Sequence, residues 1–223
     1  MQFRIDGLLD AAEVARIREV LKTANFADGR ATAGEAVRAV KRNLQVAEQE
    51  EGLASCRKSV NTALMQHEGF ALRVLPMRLL PPLFNRYDAG MEYGSHVDNA
   101  VMGSGEFVRA DVSVTVFLSD PSDYEGGGLV INSDVQGQPL RLPAGSAIVY
   151  NSNTIHRVEP VTRGSRYAAV TWAQSFVREE SRRDVLMELA ELARWARGVA
   201  PSAPEAMKAA KVRANLMRMW AEL

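Results

Sequence analysis

The amino-acid sequence predicts a mainly β protein, with a central antiparallel sandwich or barrel flanked by helices at both ends. Between residues 78 and 176, short runs rich in β-branched and aromatic residues alternate with turn residues, which favours antiparallel strands over βαβ units. Both flanking portions instead carry apolar residues at helical spacing. We therefore divide the chain into a helical portion over residues 1–77, a β domain over residues 78–178 and a helical extension over residues 179–223.

The N-terminal portion is predicted to be mainly helical and to pack on the β domain. Asp10 and Glu13 form a capping-box pattern ahead of the first helix. A second helical stretch is expected from Val37 to Leu44, and a third from Arg57 to His67. His67 is assigned a structural role at the C-terminal end of that third helix.

The central portion contains seven β-rich runs: RLLPPLFNRY, ADVSVTVFLSD, GGGLVI, PLRL, SAIVYN, IHRVEPV and RYAAVTWAQSF. In the second run, valines at 112, 114 and 116 alternate with Ser113, Thr115 and Phe117, which predicts a strand with two distinct faces. A hairpin turn is expected at Arg163 and Gly164.

The C-terminal extension is predicted to form two helices. The first starts at a Ser181 cap and stops at Gly198, and a closing helix follows a short Pro-containing hinge. Exposed Met and Trp side chains on the closing helix would favour a homodimer, whereas a monomer would bury them internally.

Composition and sequence patterns argue against several classes of protein, and they disfavour a nucleic-acid partner without excluding a local basic groove. Lys+Arg and Asp+Glu number 27 each, so no overall field attracts nucleic acid or an anionic membrane. Cys56 is the single cysteine, which rules out an intrachain disulfide and a cysteine-based zinc site. The first residues lack a signal-type apolar segment, and no 18-residue apolar run occurs. We expect a cytoplasmic protein without a membrane span.

Two of the three histidines are candidate metal ligands. His96 and Asp98 are two residues apart, so an extended backbone directs both side chains to the same side. His156 follows in a later predicted strand. Two His and one carboxylate form the facial triad that suits non-haem Fe(II) oxygenases. A zinc hydrolase is the alternative for such ligands, but no HExxH helix accompanies them.

Arg166, ten residues after His156, is the candidate cation for a dicarboxylate cosubstrate. A guanidinium matches a carboxylate bidentately, and a strand antiparallel to the His156 strand would bring Arg166 beside the metal. Arg163 is placed in the turn instead. As isolated residues, both arginines would be read as solvated charges flanking a hairpin.

The segments FNRYDAGMEYGSHVDNA, VSVTVFLSDPSDYEGGGLVI and LPAGSAIVYNSNTIHRVEPVTRGSRYAAVTW resemble the PKHD-type hydroxylases, relatives of the prolyl 4-hydroxylase catalytic domain. The resemblance implies a double-stranded β-helix (jelly roll) with flanking helices. It implies Fe(II) at His96, Asp98 and His156, and 2-oxoglutarate at Arg166. O2 is the expected oxidant and ascorbate a further expected cofactor. The expected reaction is hydroxylation of a C–H bond with release of succinate and CO2.

The resemblance leaves the substrate open among small molecules, amino acids and peptides. Tyr87 and Asn85 are weaker candidates for cosubstrate binding through their hydroxyl and amide groups. Relatives often carry an acidic residue where Gly128 stands, and we expect the run from Gly126 to Gly128 to bend or approach a neighbour closely. The alternative function is a jelly-roll sensor module that binds a metal or ligand without turnover.

Overall fold

A computed structural model describes residues 1–32, 34–47, 50, 52–103, 107–132, 137–199 and 204–222, without the side chains of residues 36 and 206. The helices are α1 (Ala11–Thr23), α2 (Leu53–Gln66), α3 (Glu68–Val74), α4 (Glu180–Val199) and α5 (Pro204–Trp220). The strands are β1 (Gln2–Ile5), β2 (Phe26–Asp28), β3 (Lys41–Arg42), β4 (Leu44–Val46), β5 (Pro76–Leu79), β6 (Leu83–Asp88), β7 (Glu92–His96), β8 (Val101–Met102), β9 (Val108–Arg109), β10 (Val112–Phe117), β11 (Tyr124–Gly126), β12 (Leu129–Ile131), β13 (Ala147–Asn151), β14 (His156–Val158) and β15 (Val161–Ser175).

Two antiparallel sheets form the body of the protein, as the predicted jelly roll requires. The large sheet has the order β1-β13-β10-β15-β6-β4-β2, with β11 and β5 also paired to β15. The small sheet has the order β12-β14-β7-β3, and β8 pairs with β9 separately. Apolar side chains from both sheets, including Phe117, Tyr150, Leu129 and Val158, share one buried cluster. The sheets therefore face each other across a common interior.

Strand β10 shows how the sequence builds two different environments on one strand. Its valines pack on the outer face of the large sheet, in the same cluster as α1, α2 and α3. Ser113 and Thr115 point the other way and line an internal cavity. All six residues of β10 are buried, so the polar side chains line the interior rather than solvent. The predicted two-faced strand is confirmed.

The N-terminal helices cover the outer face of the large sheet. Asp10 caps α1 by accepting a hydrogen bond of 2.8 Å from the Glu13 backbone N–H, as predicted. Apolar side chains of α1 and α2, including Ile17 and Leu64, are fully buried against the sheet. His67 ends α2, and its Nδ1 accepts from the Phe70 backbone N–H at 3.1 Å, so its imidazole caps α3.

The helix predicted from Val37 to Leu44 is wrong. A 3₁₀ helix covers Glu35–Val40, and two strands follow it. Strand β3 pairs with β7 in the small sheet, while β4 pairs with β6 in the large one. Pairing with distant strands thus overrides a helical apolar spacing, and the N-terminal portion contributes strands to both sheets. The predicted three-part division of the chain stays a prediction.

The hairpin turn predicted at Arg163 and Gly164 is also wrong. Strand β15 runs without interruption from Val161 to Ser175. Gly164 lies within it at φ +75, opposite Tyr124 of β11, where a Cβ would stand 2.2 Å from the Asp123 carbonyl oxygen. The glycine therefore permits close strand pairing rather than chain reversal.

The C-terminal helices pack on one end of the sandwich through Leu75, Val177 and Leu186, with Trp220 and its neighbours on α5. Helix α4 begins at Glu180, so Ser181 is not its cap, and it continues through Gly198. Gly198 lacks the positive φ that ends many helices. Among the described residues, no helix is long and apolar enough to cross a membrane.

Candidate active site

The two candidate histidine ligands are cross-strand neighbours in the small sheet. His156 of β14 pairs with His96 of β7, and their ring centroids are 4.1 Å apart. The Nε2 atoms of His96 and His156 lie 3.9 and 3.8 Å from Oδ1 of Asp98. Among the described residues, these three form the group of His, Cys, Asp and Glu side chains that could hold a metal ion, with ligand atoms within 4.8 Å of one another. The predicted triad is therefore assembled.

Backbone hydrogen bonds fix the tautomer of both imidazoles. Nδ1 of His96 lies 2.8 Å from the Gly94 carbonyl oxygen, and Nδ1 of His156 lies 3.0 Å from that of Thr154. Since a carbonyl only accepts, each Nδ1 carries the proton and each Nε2 offers its lone pair to the cavity. Burial and the neighbouring His156 lower the pKa of His96 to about 4. The neutral imidazole is the form that binds metal.

Asp98 is held from the opposite sheet. Its Oδ2 accepts from the Ser113 hydroxyl at 2.6 Å and from the Trp172 indole N–H at 2.9 Å. Oδ1 is thereby left facing the two imidazoles. The Ser113 hydroxyl also lies 2.8 Å from that of Ser152. Because Ser113 has one proton and a carboxylate only accepts, Ser152 donates to Ser113, which donates to Asp98.

Sequence reasoning missed Ser113 and Trp172 as supports of the metal ligand. A signal was present for Trp172, which stands six residues after Arg166 on one strand. An even spacing places both side chains on the same face of a strand. Ser113 likewise lies on the polar face of β10, opposite the valines. Nothing in the sequence specified that both would contact Asp98.

Arg166 is a buried cation whose polar atoms are not fully used. Its side chain is 1% exposed, and Nε and Nη2 have no hydrogen-bond partner in the described structure. The guanidinium carbon lies 5.3 Å from the ring centroids of both Tyr87 and Phe117. Such unpaired donors in a cavity shared with the metal-ligand triad fit a carboxylate ligand, and so they fit 2-oxoglutarate.

The predicted path of the Arg166 strand needs correction. Strand β15 does not pair with the His156 strand; it belongs to the large sheet, where Arg166 is opposite Tyr87 of β6. Arg166 therefore reaches the cavity from the sheet facing the two histidines. Its side chain passes under Gly127, where a Cβ would stand 3.2 Å from the Arg166 Cδ.

Tyr87 and Asn85 line the same cavity. Burial raises the pKa of Tyr87 to about 12, so its hydroxyl keeps the proton and can donate. The Asn85 carbonyl oxygen accepts from the side-chain amides of Asn43 and Gln45, both at 2.8 Å, and its NH₂ donates to the Leu83 carbonyl oxygen at 3.1 Å. Asn85 thus anchors a buried amide network. Direct contact of either residue with a cosubstrate stays a prediction.

The glycine run behaves as the sequence predicts. Gly126 and Gly127 have φ values of +68 and +62, and each would bring a Cβ against neighbouring atoms. At Gly128 a Cβ would stand 2.5 Å from the Pro139 Cβ and 3.3 Å from the Glu159 carboxylate. The packing around Gly128 therefore leaves no room for a side chain at this position.

The sandwich and its triad define a class of protein, and comparison with known proteins agrees. The sequence model of the 2OG-Fe(II) oxygenase superfamily matches residues 82–174. A prolyl-4-hydroxylase from Pseudomonas putida shares the fold, with a TM-score of 0.53, 19% identity and coverage of 78% of this chain and 92% of that one. HygX from Streptomyces hygroscopicus, solved with nickel and 2-oxoglutarate bound, has a TM-score of 0.54, 15% identity and coverage of 80% and 84%.

More similar relatives identify the family within that class. A PKHD-type hydroxylase of Synechococcus elongatus is 45% identical over the full length of both chains. The PKHD-type hydroxylase PiuC of Pseudomonas aeruginosa is 41% identical, again over the full length of both. The chain therefore belongs to the PKHD-type hydroxylases, and it is an oxygenase that uses iron and 2-oxoglutarate.

Proposed function

We propose that His96, Asp98 and His156 bind Fe(II), that Arg166 binds the distal carboxylate of 2-oxoglutarate, and that the enzyme hydroxylates a C–H bond of a small organic substrate. The observation that carries this proposal is the meeting of two imidazoles and one carboxylate in a cavity with a buried guanidinium whose Nε and Nη2 have no partner among the described residues. With O2, the iron and 2-oxoglutarate supply the oxidising power for hydroxylation, with succinate and CO2 as co-products.

The side chains of this protein have separate tasks in that reaction. His96 and His156 present fixed Nε2 atoms, and Ser113 and Trp172 hold Asp98 so that one carboxylate oxygen remains free for the metal. Tyr87 supports the Arg166 end of the cavity with a protonated hydroxyl. Apolar side chains that line the cavity limit the access of water to the reacting atoms. These side chains are Leu83, Leu129, Val158 and Val170.

Anaerobic spectroscopy followed by turnover tests the proposal. Protein loaded with Fe(II) and 2-oxoglutarate should show a weak visible charge-transfer band, which His96→Ala and Asp98→Ala should each abolish. His67→Ala is the matched control, because it removes the one imidazole that lies outside the cavity. Admission of O2 should then release succinate. A retained band in either ligand variant contradicts the metal assignment, and a band without any succinate release indicates a sensor instead.

We also propose that two copies of the chain associate through α4. This helix exposes Val185, Leu192, Trp195 and Val199 along one side. These positions recur seven, three and four residues apart, so they form one continuous apolar stripe on the helix. In an antiparallel pair of α4 helices centred on Leu192, the two Leu192 side chains would meet and Val185 of one copy would lie near Val199 of the other. This self-complementary register favours a second copy of this chain as the partner.

Two further expectations remain proposals. A cytoplasmic location is supported by the lone, buried and unpaired Cys56, which suits a reducing compartment. Ascorbate is expected to sustain turnover by keeping the iron reduced, as the resemblance implies. Omitting ascorbate from multiple-turnover assays should shorten the linear phase of succinate release.

A further inference from the structure

The cavity contains a second buried cation, Lys41, to which the proposed reaction gives no task. Lys41 is 6% exposed, and its Nζ donates to the Thr32 hydroxyl at 3.1 Å. The ammonium lies 5.3 Å from the ring centroid of Tyr93. It forms no ion pair with any residue that the structure describes. Because an ammonium has three donors, most of its hydrogen-bonding capacity is unused, and its charge has no carboxylate in direct contact.

The sheet order places Lys41 on the opposite side of the metal ligands from Arg166. In the small sheet, the His156 strand, the His96 strand and the Lys41 strand follow one another. Tyr93, the register partner of Lys41, stacks on His96 with centroids 3.6 Å apart. Arg166 instead passes under Gly127, just before β12 at the far edge of the same sheet. The cavity therefore has one cation on each side of the triad.

One molecule of 2-oxoglutarate cannot neutralise both cations. A cosubstrate that chelates iron through its 2-oxo group and adjacent carboxylate has one carboxylate left. Arg166 suits that carboxylate better, because its unpaired Nε and Nη2 form a planar fork. Lys41 then keeps its charge in a buried position, which is costly without a counter-ion. Burial already lowers the pKa of Lys41 to about 8, although Asp98 and Asp28 oppose this effect.

We propose that Lys41, together with Thr32, binds a carboxylate of the primary substrate, so that the substrate is a small carboxylic acid. This inference rests on the proposed function of the same site. A single lysine matches a singly charged carboxylate, whereas a doubly charged phosphate would call for further cations on this side. The cavity volume of about 330 Å³ lies near the small end of the range of roughly 300–1,000 Å³ for ligand pockets. The site therefore has room for the cosubstrate and a small molecule or the end of a chain.

Simple acids and their amides test this inference before any substrate is known. Anaerobic enzyme loaded with Fe(II) and 2-oxoglutarate would be titrated with acetate, propionate and benzoate, and with the primary amide of each, while the visible band is recorded. We expect the acids to perturb the band with a Kd about tenfold or more below that of the amides, since hydrogen bonds to charged groups are the stronger ones. Wild-type protein alone gives this comparison, so it does not depend on the folding of a variant.

Variants then assign the preference to Lys41. Lys41→Gln should abolish the preference for acids, Lys41→Arg should retain part of it, and Lys58→Gln, which alters an exposed lysine on α2, should behave as wild type. Equal binding of acids and amides by the wild type, or no binding of any acid, would overturn the inference. So would an acid preference that survives Lys41→Gln, because the acids would then bind the iron or another cation.

Two outcomes separate this inference from the proposed function. If Lys41→Gln weakens 2-oxoglutarate binding as much as Arg166→Gln does, Lys41 belongs to the cosubstrate and the substrate assignment is wrong. If the visible band is absent before any acid is added, the proposed iron and cosubstrate site itself fails. The same titrations with dipeptides and their C-terminal amides would show whether the carboxylate belongs to a free acid or to a peptide terminus.

Discussion

Removing the hydrogen bonds to Asp98 should weaken metal binding without removing any metal ligand. Ser113 and Trp172 both donate to Oδ2, at 2.6 and 2.9 Å, and the Asp98 side chain is 11% exposed. At such low exposure, solvent screens these bonds little. A hydrogen bond to a charged group contributes about 1.5–3 kcal/mol, and the low end of that range is close to a tenfold change in Kd. Ser113→Ala and Trp172→Phe should therefore each raise the Kd for Fe(II) by about tenfold, within the range typical of groups that orient metal ligands.

The assay is anaerobic titration of apoprotein with Fe(II) against a competing chelator. Trp195→Phe is the matched control, since Trp195 is 65% exposed and lies on α4, away from the cavity. The double variant should bind Fe(II) about 100-fold more weakly than wild type, because Oδ2 of Asp98 would then have neither donor. The carboxylate could rotate away from the imidazoles. Fe(II) affinities within twofold of wild type in both single variants would refute the view that the large sheet positions this ligand.

Four other perturbations give distinct outcomes. Arg166→Gln should raise the Kd of 2-oxoglutarate by about 100-fold in anaerobic calorimetry, because the distal carboxylate of the cosubstrate loses its paired cation. The Kd of Fe(II) should change far less. A wild-type Kd for 2-oxoglutarate in this variant would contradict the role assigned to Arg166. Because burial lowers the pKa of Lys41 from 10.5 to about 8, the unfolded chain binds the additional proton between these values. The free energy of unfolding of wild type should therefore rise relative to Lys41→Gln by roughly 1–3 kcal/mol between pH 8 and 10.5, and a constant difference in denaturant titrations would argue against this burial. Gly127→Ala should lower both thermal stability and 2-oxoglutarate affinity, whereas Gly90→Ala, also at positive φ but with no atom within 4 Å of its Cβ, should lower stability alone. In analytical ultracentrifugation, the wild-type protein should have twice the 24.5 kDa mass of one chain, and Leu192→Glu should have the mass of a single chain. A Leu192→Glu variant with the wild-type mass would rule out the α4 interface.

The parts of the site that the sequence predicted are those fixed by local spacing. His96 and Asp98 converge because they stand two residues apart, and the two faces of β10 follow from its alternation of valine with polar residues. The resemblance of the flanking motifs to a known family supported His156 as the third metal ligand and Arg166 as the cation for the cosubstrate. Each of these predictions needed only the strand period or a motif.

What the sequence did not predict depends on pairing between distant segments. Lys41 lies in a stretch whose apolar spacing favoured a helix, yet its backbone pairs with β7 about fifty residues later. The direction in which Arg166 enters the cavity depends on which sheet β15 joins, and Gly164 looked like a turn because strand pairing with β11 is not visible in the sequence. Contacts of this kind are set by tertiary packing, which overrides weak local preferences.

The support of Asp98 from across the barrel has a mechanical consequence. Both imidazoles belong to the small sheet, but the carboxylate is secured by side chains of the large sheet, so a metal ion held by all three would join the two walls of the sandwich. The two sheets should then become more rigid as the metal site fills. Backbone amides of the strands that carry the ligands and their supports, β7, β14, β10 and β15, should exchange their protons more slowly when the ion is bound. An enzyme built in this way would be loosest when it has no metal and firmest when it is ready to react.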